Sequence, residues 1–365
     1  MARLMSEVAT TATANRGLGE RTKGWLSPRR IGAIYVWIAF IILFTILSPD
    51  QFPQYATVKQ ILNEYAVTLL VALGLLMPLA AGLYDLSVGS VMGLCGISSA
   101  WFLAHVSSSP WLALAAGIAI GLACGLLNIV VVIVMRVDSF IGTLATSSIF
   151  AAIVIAVSGS NTITQNVGGT FQVDFALKNV AGLTAPVGLM IAGVLGLAFV
   201  LEKTAFGRRV YATGFDPEVA RLGGVNVGRL RAVTLLVSAS FAALAGVTQS
   251  AALGAGDPTV GPAYLLPAFA AAFLGATQFR AGRVNPWGTA VAGLLLGTAE
   301  VGLLLAGAPQ WAPSIFSGAL LILAVSLTRA NIRDRLRQLL QASSRRRGGT
   351  LDRAEPTPHG SLQGG

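Results

Sequence analysis

Between residues 31 and 328 the chain is a succession of long apolar runs broken by short polar segments, and no other feature limits its fold as strongly. About 20 mostly apolar residues are what an α-helix needs to cross the hydrocarbon core of a bilayer. In lipid every backbone donor and acceptor must be satisfied internally, which a helix does within one segment. The runs fall at about 31–47, 66–82, from the break at 84–90 to about 105, then 111–135, 139–157, 185–201, 232–253, 265–274, 287–306 and 314–327. They predict an all-α integral membrane protein with about ten transmembrane helices. Composition excludes an ordinary soluble domain: 54% of residues are hydrophobic and 11% charged, where soluble domains carry about 25% charge.

Charge fixes the expected orientation. Basic residues concentrate on the cytoplasmic side of short loops. With ten spans, 23 of the 25 Lys and Arg fall on one side and only Lys59 and Lys178 on the other. Both termini are therefore expected in the cytoplasm. Residues 1–30, with Arg3, Arg16, Arg21, Lys23, Arg29 and Arg30, read as a cytoplasmic tail, 31–328 as one polytopic domain, and 329–365 as a basic tail, disordered beyond Gln341. The net charge of +10 reads as orientation, because the basic residues lack the interleaved aromatics of a nucleic-acid surface. No apolar core with a cleavage site precedes the first run, so no removable signal peptide is expected. Residues 48–64, with Val58, Ile61 and Leu62 at helical spacing, are expected along the outer face, and 158–184 form the long outer connection. Cys95 and Cys124 fall inside apolar runs and form no metal-binding spacing.

One polar segment, 204–231, differs from a plain connection. Asp216 suits a helix N-cap, Pro217 the first helical position, and Glu218 the positive end of the dipole. Arg221 falls in the last turn, and Gly223 and Gly224 can take the left-handed geometry that ends a helix. A capped helix of about two turns is predicted, held out of the bilayer by Arg208, Arg209, Arg229 and Arg231.

Two acids stand at membrane depth, where even a lenient insertion scale assigns a charge about 2.5–3.5 kcal/mol. Asp85 belongs to the segment Tyr84, Asp85, Leu86, Ser87, Val88, Gly89, Ser90, which is either a tight turn or an unwound point within the membrane. Glu300 lies in the ninth run. These two, with Ser87, Ser90, Asn128, Thr143 and Thr146, are candidates to line a polar translocation pathway; they can equally hold a broken helix or bond neighbouring helices. Small residues four apart, including Gly93, Gly117, Gly121 and Gly125, suit close helix packing. No P-loop, HExxH or GxSxG motif occurs, so no enzyme activity is expected and no catalytic residue or metal ligand is assigned.

DLSVGS (85–90), VDSFIGTLAT (137–146) and GRRVYATGFDPEVARLGGVNVGRLR (207–231) resemble the permease subunits of bacterial ATP-binding-cassette importers of the ribose type, within the branched-chain amino acid and monosaccharide permease superfamily. The resemblance covers most of 31–328 and implies a type II-like importer permease in the bacterial cytoplasmic (inner) membrane. It implies that the helix around Pro217 couples to a separate ATPase subunit, with Gly207, Arg208, Asp216, Pro217, Glu218, Ala220, Arg221 and Gly224 at the contact. It further implies a second permease chain, an external sugar-binding protein, periplasmic or lipid-anchored, and no cofactor in this chain, with ATP and Mg on the partner ATPase. Two departures, AYLLPAFAA (263–271) and GATQFRAGR (275–283), leave the solute open among pentoses, hexoses, polyols and related small polar molecules. The competing readings are a proton-coupled secondary transporter relaying through Asp85 and Glu300, and a membrane scaffold that transports nothing.

Overall fold

The structure, a computed structural model, describes residues 28–180, 183–279 and 282–326. The two tails expected from composition, with their basic clusters, and Arg280 lie outside the described residues. The helices are α1 (Pro28–Leu47), α2 (Tyr55–Ala80), α3 (Val88–His105), α4 (Pro110–Ile129), α5 (Ser139–Ser158) and α6 (Ala185–Lys203). They continue with α7 (Ala205–Phe215), α8 (Pro217–Leu222), α9 (Val227–Leu253), α10 (Val260–Ala263), α11 (Leu265–Ala276), α12 (Pro286–Leu305) and α13 (Ala312–Ser326). Among the described residues seven helices are long and apolar enough to cross a membrane, counting α4 with its π-helical extension Val130–Val134; α1, α10–α11 and α13 contribute three shorter apolar segments.

The apolar surface points outward. Helix α5 buries Ser139, Gly142, Thr143, Thr146, Phe150, Val154 and Ser158, a stripe at three- and four-residue spacing that includes most of its hydroxyls. Its exposed residues include Ile141, Leu144, Ile149, Ile153 and Ile155. A helix in water does the reverse, so the surroundings of α5 are lipid or another membrane chain. Helix α4 repeats the arrangement, burying Ala113, Gly117, Gly121, Cys124, Gly125 and Asn128 while Trp111, Leu112, Leu126 and Leu127 face out. The chain is a multi-pass membrane protein.

Helices α2 and α9 form the centre. Helix α9 packs on α2, α3 and α4, and α2 also contacts α6, α11 and α12. Glycines permit this closeness. A Cβ on Gly246 would stand 2.1 Å from the Met92 carbonyl, one on Gly96 2.9 Å from the Gly246 carbonyl, and one on Gly121 2.5 Å from Ala243 Cβ. Helix–helix association in lipid rests on such contact. Cys95 and Cys124 are buried and unbridged within this packing.

Of residues 48–64, expected along the outer face, 55–64 form the first turns of α2. Helix α2 starts at Tyr55 and runs unbroken to Ala80, because Ile61 packs with Phe44 and Phe52 against α12 residues Ala299 and Val301. The connection between α5 and α6 also has structure: a helical turn over Thr170–Gln172 and Val173–Leu177, and two antiparallel strands, β1 (Asn179–Val180) and β2 (Leu183–Thr184). It is tied to the turn before α10 by reciprocal bonds between Ile163 and Gly256, N–H to carbonyl at 2.9 and 2.7 Å.

Candidate functional site

Two regions gather the sequence-selected residues. The first is the knuckle between α6 and α9. Thr204 caps α7, its hydroxyl accepting from Gly207 N at 3.2 Å. Gly207 is buried, and a Cβ there would meet the carbonyls of Val200 and Leu201 at 2.4 Å, so its part is to fold α7 tightly against the end of α6. Asp216 then caps α8 as its sequence position predicts, one carboxylate oxygen accepting from Glu218 N at 2.9 Å and Val219 N at 3.1 Å. Pro217 is the first residue of α8, Glu218 and Arg221 pair at 2.9 Å on its exposed face, and Ala220 is buried beneath it. Gly224 is left-handed at φ 80°, whereas Gly223, at φ −76°, is not; a single left-handed residue suffices to end the helix. Arg208 is exposed on α7.

Sequence reasoning missed α7 as a helix and missed what the knuckle displays. Phe215 is 94% exposed and Leu222 90%, with Val219 also exposed between them. Three large apolar side chains amid Arg208, Arg209, Arg221 and Arg229 were the available signal. The knuckle is not a loose appendage. A Cβ on Gly214 would stand 2.1 Å from the Ala80 carbonyl at the end of α2, and Gly82, at φ 77°, faces the Gly214 backbone. On the other flank Tyr211 donates to the Val284 carbonyl at 2.8 Å, and the Arg283 guanidinium lies 4.1 Å from the centre of its ring.

The second region is the break between α2 and α3, a tight turn over residues 81–87. Asp85 is 1% exposed. One carboxylate oxygen accepts from Ser87 N at 3.1 Å and Ser87 Oγ at 2.6 Å, and the other from Ser238 Oγ at 2.7 Å. Asn128 Nδ2 donates to Ser87 Oγ at 2.7 Å, and Thr146 Oγ1 donates to Asn128 Oδ1 at 2.6 Å. Leu86 N donates to Thr143 Oγ1 at 2.9 Å, and Ser90 and Ser147 share a bond of 2.8 Å. Six of the seven pathway candidates, Asp85, Ser87, Ser90, Asn128, Thr143 and Thr146, thus lie together, on or beside one network joining α3, α4, α5 and α9. Ser238, one of several hydroxyls in the 232–253 run, carried no sequence signal for its part.

In this arrangement the network satisfies its own members and pins the turn, the work a buried polar network does when complete. Glu300 is elsewhere. It accepts from the Tyr65 hydroxyl and shares no hydrogen bond with the Asp85 network. Gly74, which packs beside the Ser238 backbone, is nine residues and about 13 Å of helix from Tyr65.

The model of the family described as branched-chain amino acid transport system / permease component matches residues 57–325. The ribose import permease protein of Escherichia coli (strain K12) is 30% identical over 308 residues, 83% of this chain and 94% of that protein. The D-allose transport system permease protein of the same strain is 31% identical over 303 residues, 82% of this chain and 91% of its own length. The fructose import permease protein of Rhizobium meliloti is 32% identical over 333 residues, 88% and 91% of the two chains. No solved structure matches. A match across both candidate regions and nearly all of the membrane helices places the chain in the branched-chain amino acid transport system / permease component family.

Proposed function

We propose that this chain is the membrane subunit of an ATP-driven importer for a monosaccharide or a similar small polar solute. In this reading ten helices cross the bacterial cytoplasmic membrane with both termini inside, and α8 docks in a groove of a separate ATPase that holds ATP and Mg. A second permease chain completes the pathway, and an external binding protein delivers the solute. The observation that carries it is the knuckle: a capped helix presenting Phe215, Val219 and Leu222 to the surroundings while Gly214 and Tyr211 bind it to the membrane helices. Exposed large apolar side chains rimmed by charge are what a partner surface offers. Import of ribose, allose and fructose by the similar proteins supports the solute class.

The proton-coupled alternative needs Asp85 and Glu300 in one relay. Their membership of separate hydrogen-bonded groups counts against it. The test is co-expression with candidate cassette ATPases, co-purification, and solute uptake into proteoliposomes. Uptake should require the ATPase and ATP and survive collapse of the proton gradient; uptake without the ATPase rejects the proposal.

A further inference from the structure

The chain between Ser158 and Ala185 is far longer than the roughly two to eight residues that join neighbouring helices in a bundle, and many contacts fix it. Val167 and Phe171 are buried with Ala100 and Leu103 of α3, Ala113 at the start of α4, and Val247 and Ala251 of α9. Besides the paired bonds between Ile163 and Gly256, Asn166 Nδ2 donates to the Leu103 carbonyl at 3.2 Å and Gln172 Nε2 to the Ala252 carbonyl at 3.4 Å. Trp111 of α4 meets the Phe175 ring edge-on, centroids 5.0 Å apart. Residues 159–175 thus form a firm cap over one end of α3, α4 and α9. Helix α9 runs 27 residues, about 40 Å, from the knuckle to Gly254 beside this cap. Cap and knuckle therefore stand at opposite ends of the helices.

What the cap shows to its surroundings is uniform in chemistry. Asn161, Thr162, Thr164, Gln165, Asn166 and Thr170 are exposed, and from residue 159 to 173 there is no Asp, Glu, Lys or Arg. The side chains of Thr162, Thr164, Gln165 and Thr170 make no hydrogen bond to any described residue. A surface that has only to stay solvated carries roughly 25–35% charged residues. Protein interfaces are instead depleted of charge at their centre, and Asn and Ser supply adaptable hydrogen bonds in binding loops. A small solute needs a concave site, whereas these side chains stand exposed along the cap. A second permease chain in the same bilayer would approach the helices from the side, but the cap closes their ends. A partner arriving from the water beyond those ends meets it directly.

We infer that residues 161–170 are the landing surface for the external binding protein, and that the contact is made by hydrogen bonds between uncharged groups. The matching face of the partner is then rich in amides and hydroxyls and poor in charge. The inference rests on the importer reading, which puts the knuckle in the cytoplasm and the cap outside, and it supplies the location and chemistry of one contact in that reading. Because the cap is packed on α3 and α9, two of the helices that the Asp85 network joins, the partner lands directly above them.

The experiment takes the sugar-binding proteins encoded in the source genome, each purified and offered D-ribose, D-allose and D-fructose, and measures their binding to the permease–ATPase complex in nanodiscs and the ATP hydrolysis they stimulate. For the protein that stimulates hydrolysis, the double variant Thr164→Ala with Gln165→Ala should raise Kd about tenfold or more, the scale of two lost hydrogen bonds. Lys59→Ala, which removes an exposed charge near the start of α2 at the same end of the helices, should stay within about twofold. Both variants should keep the wild-type yield of complex with the ATPase. The wild-type Kd should change by less than about threefold between about 0.1 and 1 M salt, over which the screening length falls from about 10 to 3 Å. Binding of the double variant within about twofold of wild type, or a wild-type Kd that rises about tenfold with salt, overturns the inference. So does a double variant that alters the number of permease chains in the complex and leaves Kd unchanged, since the cap is then a contact between copies. Stimulation of the wild type by none of these proteins rejects the importer reading itself, and the landing surface with it.

Discussion

The Asp216 cap offers the sharpest test of the knuckle. Helix α8 has six residues, far fewer than a helix needs to persist alone in water. It is held by burial of Ala220, by closing bonds from Gly224 N to the Arg221 carbonyl at 2.9 Å and Val225 N to the Ala220 carbonyl at 3.0 Å, and by the two bonds into Asp216. The Glu218–Arg221 pair is exposed on both sides, and pairs of that kind contribute little. Asp216→Ala removes both cap bonds, a loss of about 1 kcal/mol within a range of roughly 0.5–2. At about 1.4 kcal/mol per factor of ten, the helical form then falls about fivefold relative to the open form. If the ATPase engages only the formed helix, its apparent Kd rises by up to the same factor. Binding of the nucleotide-free ATPase to the permease in nanodiscs, by biolayer interferometry, reads this directly. Asp216→Asn separates cap from charge, since Asn caps about as well as Asp, and it should bind within about twofold of wild type. Equal weakening by Asn and Ala would refute the cap argument in favour of the charge. Unchanged binding by Ala would show that the cap does not govern docking.

Five further outcomes follow from the packing. Phe215→Ser and Leu222→Ser change side chains that touch almost nothing in the isolated chain, so its unfolding should move by no more than about 0.5 kcal/mol while ATPase co-purification is lost. Gly214→Ala sets a Cβ against the Ala80 carbonyl; it should leave ATPase binding in place and lower solute uptake per ATP hydrolysed. Gly246→Val forces α9 off the Met92 carbonyl and should destabilise by about 1–3 kcal/mol, seen as a lower Tm in detergent. By contrast Gly196→Ala, with open space around the added carbon, should be neutral or stabilising. Asp85→Ala leaves the buried Ser87 and Ser238 donors without their acceptor, at about 1–3 kcal/mol each, and should lower the Tm more than Asp85→Asn.

The helices and the α8 cap were legible because their signals are local: an apolar run of sufficient length, or Asp-Pro-Glu before a short amphipathic turn. The start of α2 was not, because Ile61 is buried with Ala299 and Val301 of α12, which come from a different part of the chain. The Asp85 network was half legible. Its hydroxyls near the break could be selected by type, but Ser238 is 153 residues away and only the crossing of α9 over the turn brings it to the carboxylate. Glu300 stands out by residue type in an apolar run, but type alone says nothing about neighbours, and its hydrogen bond is to Tyr65 and not to the Asp85 network. Its partner Tyr65 is 235 residues away on α2, and nothing in their spacing links them.

What unites the two regions is the backbone contact between Gly214 and the end of α2. At Gly214 helix α7 meets the end of α2 backbone to backbone, and Val210 of α7 shares a buried cluster with Leu76, Met77 and Ala80 of α2. Packed protein of this density transmits displacement. Beyond Gly82 the chain enters the turn that Asp85 pins to α9, while Asn128 and Thr143 fasten the neighbouring residues to α4 and α5. A push on α8 therefore reaches the end of α2 and the start of α3, and Tyr211 carries it to the segment before α12. If a partner's nucleotide cycle moves α8, α2 and α12 are the helices it bears on directly, because both are joined to the knuckle, one by the Gly214 backbone and the other by the Tyr211 hydroxyl.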